Sequence, residues 1–333
     1  MIQITSLLEN QNMKNLGVVG ASGFFGLTFV NSFLNGNLEA FNIKKLTLVS
    51  RNTSDKLHQI AAKNSGKIQL IDSDVCELNS VPKCDYWLHF AASSSSERYQ
   101  KNAKFEFKNN TDNLQYFAAL VERSNSVSSI LFASSGAVYK SSLTALSEIS
   151  PLVSRATSVN RTNAYAQSKL DSEEVIQNIS SSKIKVTIAR CFTFCGPELP
   201  LTSHFAVGNF VSDILARRPI HIKAPCPVFR SYLHTDDLVK WLMVMVTDER
   251  ASGQILNVGS QNAISLLSVA ETLAKHFNLS LKRAFPETEY NTRSPTSYFP
   301  DVSKANRLLG LEPSESSIEA VLRMAETIKM SQT

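Results

Sequence analysis

Short apolar, β-branched runs alternate with stretches of helical periodicity from Leu16 to about Phe192. "LGVVG" leads into a helical pattern from Phe24 to Phe33, and "KKLTLVS" precedes the helical "DKLHQIAAK". "KIQLIDS" and "DYWLHFAAS" are followed by a long helix from about Asn102 to Arg123. "SSILFASS" precedes a helix around "YAQSKLDSEEVIQ", and "KVTIARCF" closes the series. Strands that are apolar throughout, separated by helices, predict a parallel sheet covered on both faces. Right-handed crossovers make such a sheet doubly wound, with ligands beyond the carboxyl ends of its strands. After Gly196-Pro197 the pattern loosens. Pro197, Pro200, Pro219, Pro225 and Pro227 punctuate it, leaving helices near Phe205–Arg217, Asp236–Thr247, Ser265–Phe277 and Ser317–Met330. The expected fold is α/β: a doubly wound parallel sheet with a smaller C-terminal α/β substrate lobe. The expected division is an extension at 1–15, a sheet domain at 16–193 and a smaller lobe at 194–333, the helix at 236–247 packing back on the first domain.

Composition narrows the picture. A chain of 333 residues that is 43% hydrophobic can fill a sizeable core. Its formal charge of +5 comes from scattered basic residues with no run of five, which argues for small anionic ligands and against nucleic acid. Five irregularly spaced cysteines (Cys76, Cys84, Cys191, Cys195, Cys226) suggest neither a metal site nor a disulfide framework and fit a reduced, cytoplasmic setting. The start "MIQITSLLENQNMKNL" has Glu9 inside its apolar stretch and reads as a loosely docked extension rather than a signal peptide. No run approaches eighteen apolar residues, so no membrane span is expected.

Four stretches carry the chemistry. "GASGFFG" sets Gly20, Gly23 and Gly26 between a strand and a helix: one for the turn, one for close approach of a pyrophosphate, one for helix–strand packing. This is a Rossmann-type dinucleotide cradle. The second strand exits through "TLVSRN", where Ser50 and Arg51 stand in place of a ribose-binding acid. An arginine there would hold a 2′-phosphate, so NADP(H) is favoured, with NAD(H) possible. In "YAQSK", Tyr165 and Lys169 lie four apart on one helix face. Moving a phenol from a pKa of ~10 to ~7 requires roughly 4 kcal/mol, and one charge at about 4 Å supplies roughly that at an effective dielectric near 20. Tyr165 is therefore the candidate general acid/base. Ser135, at the carboxyl end of "SSILFASS", can hold the reacting carbonyl or alcohol, whereas Tyr139, whose neighbour Lys140 points away from it on the strand exit, is mostly scaffold.

Together these residues resemble the extended short-chain dehydrogenase/reductases, in their nucleotide-sugar epimerase/dehydratase/reductase branch, from about Leu16 to Pro313. Besides "GASGFFG" and "YAQSK", the resemblance rests on "LHFAAS", "SSGAVY", "RCFTFCGP", "RSYLHTDDL", "LNVGS" and "DVSKANRLLGLEP". It implies a catalytic triad of Ser135, Tyr165 and Lys169, with Lys169 also on the nicotinamide ribose. For the cofactor it implies Ser22, Phe24, Phe25, Asn52, Phe90, Ser93, Ala133 and Phe192, with Asp74 and Val75 at the adenine. Ala91 and Ala92 would line the cofactor strand, and Asn110 would support the active-site lysine. For the substrate it implies Arg230 on the diphosphate, with Ser94, Ser135, Gly136, Thr193, His204 and Asn209 nearby. A homodimer through the helices near Asn102–Arg123 and Tyr165–Asn178 also follows from it.

Departures from the family pattern bear on the reaction. Dehydratases of the group carry an Asp-Glu pair just after the catalytic hydroxyl, where this chain has Gly136 and Ala137. Epimerase-reductases of the GDP-fucose synthase kind place a cysteine at Gly136, and the family's Asn and Tyr in RxFNxYGP are Thr193 and Cys195 here. With no extra acid or base, one hydride and one proton can move. The expected activity is NADPH-dependent reduction of a nucleotide-linked 4-keto-6-deoxyhexose. The alternatives are an NAD-dependent 4-epimerase and, further off, a 4,6-dehydratase or a non-catalytic dinucleotide-binding protein.

Overall fold

A computed structural model of the protein describes residues 13–92, 96–155, 158–179, 183–201 and 205–332. The strand series forms one seven-stranded sheet in the order β11-β6-β5-β4-β1-β2-β3. Its strands are β1 (Lys14–Val19), β2 (Ile43–Ser50), β3 (Ile68–Asp72), β4 (Tyr86–His89), β5 (Ser129–Ser135), β6 (Lys185–Cys191) and β11 (Ile255–Val258). The β1–β2, β2–β3, β1–β4 and β4–β5 pairings are all parallel. The order reverses at β1, between β2 and β4, which is the crevice where such sheets bind ligands. β1 begins at Lys14, two residues before the expected start, because Lys14 pairs with Ile43 and its ammonium bonds Asp85 at 2.9 Å.

By compactness the chain divides into two units. The first comprises Met1–Ser134, Arg155–Ala189 and Leu242–Ile255; the second comprises Ser135–Ser154, Arg190–Trp241 and Leu256–Thr333.

In the first unit, the helices α1 (Phe24–Leu34), α2 (Asp55–Lys63), α3 (Ser96–Glu122) and α4 (Ala164–Ile179) follow the strands. α2 opens on Ser54, whose hydroxyl accepts the Leu57 amide, with Asp55 in its first turn and Lys63 in its last, matching the helix dipole. α3 starts before the expected Asn102, and Asn102 itself is non-helical (φ −152°, ψ 78°), kinking the helix. Trp87, Leu114, Phe117, Ile130, Phe132 and Ile176 fill the core, with Trp87 edge-on to Phe117 at 5.4 Å. Each such side chain contributes about 1.5–3 kcal/mol on burial. Gly17 is required in β1 because a methyl there would meet the Trp87 ring at 2.4 Å.

The second unit uses short strands. β7 (Phe194–Cys195) pairs with β10 (Leu233–His234), and β8 (Ile220–Ile222) with β13 (Leu281–Arg283). β9 (Val228–Arg230) lies between β12 (Ile264–Ser265) and β14 (Thr296–Tyr298). α5 (Ala206–Leu215), α6 (Thr235–Thr247), α7 (Leu266–His276), α8 (Glu287–Thr292), α9 (Ser303–Leu309) and α10 (Ser317–Met330) complete the described helices. Among the described residues, no helix is long and apolar enough to cross a membrane.

Candidate active site

At the switch point of the sheet, β1 runs into a turn that only glycine makes easily. Gly20 has φ +91°, and a methyl on it would lie 2.7 Å from the Ala91 amide nitrogen. A methyl on Gly26 would lie 2.4 Å from Ala21 Cα, so this glycine lets α1 close on the strand exit. α1 has Gly23 at its N-cap, with no side-chain hydrogen bond there. Beyond this turn is a groove of about 310 Å³. The expected Gly20, Ser22, Gly23, Ser50, Arg51, Asn52, Asp74, Val75, Phe90, Ala91, Ala92 and Asn110 all line it. The residues present therefore fit the adenosine and pyrophosphate portion of a dinucleotide.

Polar contacts order the groove. The hydroxyls of Ser22 and Ser50 are 2.6 Å apart. Arg51 Nη1 donates to Asp74 Oδ2 at 2.9 Å and to Asn109 Oδ1 at 3.3 Å. Asp74 Oδ1 accepts the Cys76 amide at 3.0 Å, capping the short 3-10 turn Val75–Glu77. Phe24 and Phe25 lie outside the groove lining. Phe25 packs edge-on against Phe90 at 5.4 Å and on Phe24 at 5.7 Å, backing the cradle.

Six lining residues escaped the sequence reading: Val19, Val49, Ser73, Arg98, Asn109 and Asn113. Asn113 Nδ2 donates to Asn109 Oδ1 at 3.2 Å. Their four-residue spacing on α3, beside Asn110, was the available signal.

The stripe expected to handle the proton lies on α4. Lys169 is 5% exposed, and its Nζ donates to the Ala133 carbonyl at 2.7 Å, 4.8 Å from the Phe132 ring centre. One turn earlier, half-buried Tyr165 meets the Tyr99 ring edge-on at 5.8 Å. Tyr99 is buried, which pushes its phenol up to about 12, so it stays a neutral wall. Buried Asn110 donates to the Tyr99 hydroxyl at 2.6 Å and to Ser168 Oγ at 3.5 Å. His89, the last residue of β4, lies between Phe117 and Phe132 at 5.2 and 5.9 Å, with no hydrogen-bond partner on either ring nitrogen. Burial, and then the Lys169 charge, hold its pKa down at about 3. It is a neutral spacer.

In the second unit, Ser135 ends β5 with 7% exposure, and its Oγ accepts the Ala137 amide at 3.1 Å. A methyl on Gly136 would lie 2.7 Å from two Phe192 ring carbons and 2.8 Å from the Tyr298 hydroxyl. Phe192 and Tyr298 are themselves packed at 4.8 Å. Arg230 pairs in register with Tyr298 and stands 5.7 Å over its ring. Burial lowers the Arg230 pKa from its ordinary value. Tyr298 was missed from sequence because pairing of β9 with β14, across almost seventy residues, delivers it. Tyr139 is scaffold: it donates to Asn257 Oδ1 at 2.8 Å and accepts from Arg190 at 3.0 Å. Thr193 offers its carbonyl to the Leu233 amide at 3.1 Å. Asn209 lines a different hollow, with Asp213, Arg218, His221, Lys223 and Lys282. Ser93, Ser94 and His204 lie outside the described residues.

A switch-point cradle, a tyrosine–lysine stripe on the helix after β5 and a serine closing β5 define an enzyme of the extended short-chain dehydrogenase/reductase type. A profile of the NAD dependent epimerase/dehydratase family matches residues 16–259, and the chain belongs to that family. It is 24% identical over 322 residues to UDP-glucuronic acid decarboxylase 6 of Arabidopsis thaliana, covering 96% of this chain and 90% of the relative. Among solved structures, it is similar to a dTDP-glucose 4,6-dehydratase from Streptomyces venezuelae with NAD bound (TM-score 0.79, 20% identity, 96% and 98% of the two chains). It is also similar to a UDP-glucuronic acid 4-epimerase from Bacillus cereus in complex with UDP-glucuronic acid and NAD (TM-score 0.76, 20% identity, 95% and 99%).

Proposed function

We propose that the protein is a nucleotide-sugar 4-epimerase that works with a retained NAD(H). The observation that carries this reading is the filled position at Gly136: with Phe192 and Tyr298 against it, the residue after Ser135 has no room to be an additional acid or base. Chemistry then reduces to one hydride and one proton at a single sugar carbon. The dinucleotide, when bound, supplies reversible hydride acceptance. Tyr165 takes the proton of the reacting hydroxyl and later returns it. The Lys169 ammonium, fixed by the Ala133 carbonyl, favours the phenolate and reaches the nicotinamide ribose. Ser135 holds the oxygen that becomes a carbonyl, and Arg230 grips the diphosphate. In this reading 16–193 bind the dinucleotide and 194–333 the sugar nucleotide, with Gly136 and Thr193 close to the sugar.

NAD(H) is preferred to the NADP(H) expected from Ser50-Arg51 for two reasons. The Arg51 charge is matched by Asp74, and the solved structures similar to this chain hold NAD. A second reading keeps one observation in its favour: no carboxylate ends β2, as suits an NADPH-dependent 4-keto-6-deoxyhexose reductase. A homodimer through the outer faces of α3 and α4 belongs to the proposal, supported by Phe105 and Tyr116 exposed on α3. A cytoplasmic location is supported by five cysteines that form no disulfide.

The test begins with the dinucleotide released on denaturing the purified protein, followed by incubation with UDP-glucose and UDP-glucuronic acid. Retained NAD and one C4-epimer mixture reached from either side support the epimerase. An empty protein that consumes NADPH against a 4-keto sugar makes it the reductase. Carbon dioxide released from UDP-glucuronic acid would extend the same C4 oxidation to decarboxylation, because a C4 ketone makes the C6 carboxylate that of a β-keto acid. No dinucleotide binding at all would refute both readings.

A further inference from the structure

The cofactor groove contains a charge arrangement with consequences for which dinucleotide it takes. Arg51, at the end of β2, is the residue that would meet a phosphate on the adenosine 2′-oxygen. Its Nη1 is committed to Asp74 Oδ2 at 2.9 Å and to Asn109 Oδ1 at 3.3 Å. Asp74 is the less exposed partner, its side chain at 24% against 47% for Arg51, and its other oxygen caps the Cys76 amide. The carboxylate is thus pinned by its own turn, and the arginine comes to it. Beside this pair, the Ser22 and Ser50 hydroxyls meet at 2.6 Å, neutral donors and acceptors where a ribose-binding acid would stand. Of the charged side chains lining the groove, Arg51 and Arg98 are positive and Asp74 is negative.

We propose that Asp74 is the residue that sets cofactor preference, by holding Arg51 in an ion pair that a 2′-phosphate would have to break. This inference rests on the dinucleotide reading above. With NAD(H), the pair stays intact and the Ser22–Ser50 hydroxyls face the ribose. With NADP(H), Arg51 must leave Asp74 to fork onto the phosphate, and the Asp74 charge then stands uncompensated near a dianion. The ion pair itself is half-exposed and weak. Most of the discrimination comes from the like charges of Asp74 and the 2′-phosphate brought together in the groove.

The experiment is direct titration of the stripped protein with NADH and NADPH, read by nicotinamide fluorescence. Asp74→Asn keeps the side-chain size, the Cys76 cap and an acceptor for an adenine amino group. It is expected to raise the NADPH-to-NADH affinity ratio fivefold or more, chiefly through NADPH. Arg51→Met lowers that ratio, and does so more strongly in the Asp74→Asn background, where the arginine is released. An Asp74→Asn ratio within twofold of the parent, or two single effects that simply add, would overturn the inference while leaving dinucleotide binding in place. A parent protein that binds neither nucleotide would remove the reading beneath it, and the inference as well.

Discussion

His89 makes the pH response of folding specific enough to calculate. It is 1% exposed, has no hydrogen-bond partner on either ring nitrogen, and has a pKa near 3 from burial and the Lys169 charge. An unfolded histidine protonates near 6.5. Between about pH 6.5 and 3, the unfolded chain therefore binds one proton that the folded chain excludes, and stability rises with pH across that window. At pH 5 the penalty is about 1.5 units at roughly 1.4 kcal/mol each, or about 2 kcal/mol, and it vanishes above about pH 7. His89→Leu removes the proton site and two unsatisfied nitrogens together, so its stability at pH 7.5 should equal or exceed the parent's. Urea unfolding of both proteins at pH 7.5 and 5.0 gives the comparison. The parent is expected to lose about 2 kcal/mol more than the variant over this interval. Carboxylates with lowered pKa values, such as Asp236 at about 2, act mainly below pH 5 and cancel between the two proteins. Equal losses in both, or a His89 ring that titrates near 6.5 by NMR in the folded protein, would refute the reasoning.

Other changes separate the parts of the site. Tyr165→Phe is expected to lower turnover by about 10²–10⁴ while leaving the dinucleotide dissociation constant within about twofold, since only proton transfer is removed. Gly26→Ala places a methyl 2.4 Å from Ala21 Cα, forcing α1 off the strand exit; a thermal melt should show a loss of about 1–3 kcal/mol, and fluorescence titration weaker dinucleotide binding. Arg230→Met should weaken nucleotide-sugar binding about tenfold or more by calorimetry, with dinucleotide affinity unchanged.

Periodicity carried the first unit well, because buried parallel strands and amphipathic helices leave opposite marks on a sequence. The glycines were legible because steric demands act on neighbouring residues, and the Tyr165–Lys169 stripe because one helix turn is a local distance. Other features depend on residues far apart in the chain. The Arg51–Asp74 pair joins the ends of adjacent strands, and Tyr298 reaches Arg230 through strands of three residues, too short to show a period. The partner of Lys169 is a backbone carbonyl, which no side-chain pattern announces. The kink at Asn102 likewise leaves the helical pattern of α3 running on through it.

Lys169 is not the only tie between α4 and β5. Ser134, the next strand residue after Ala133, donates to Glu173 at 2.5 Å, one helical turn beyond the lysine. Residues 165, 169 and 173 form a single stripe, and two of the three are pinned to consecutive positions of one strand. A helix held this way cannot slip or roll by a residue without breaking both pins, so the address of the Tyr165 phenol is set by the end of β5. Loops elsewhere can then be exchanged while the Tyr165 phenol keeps its place.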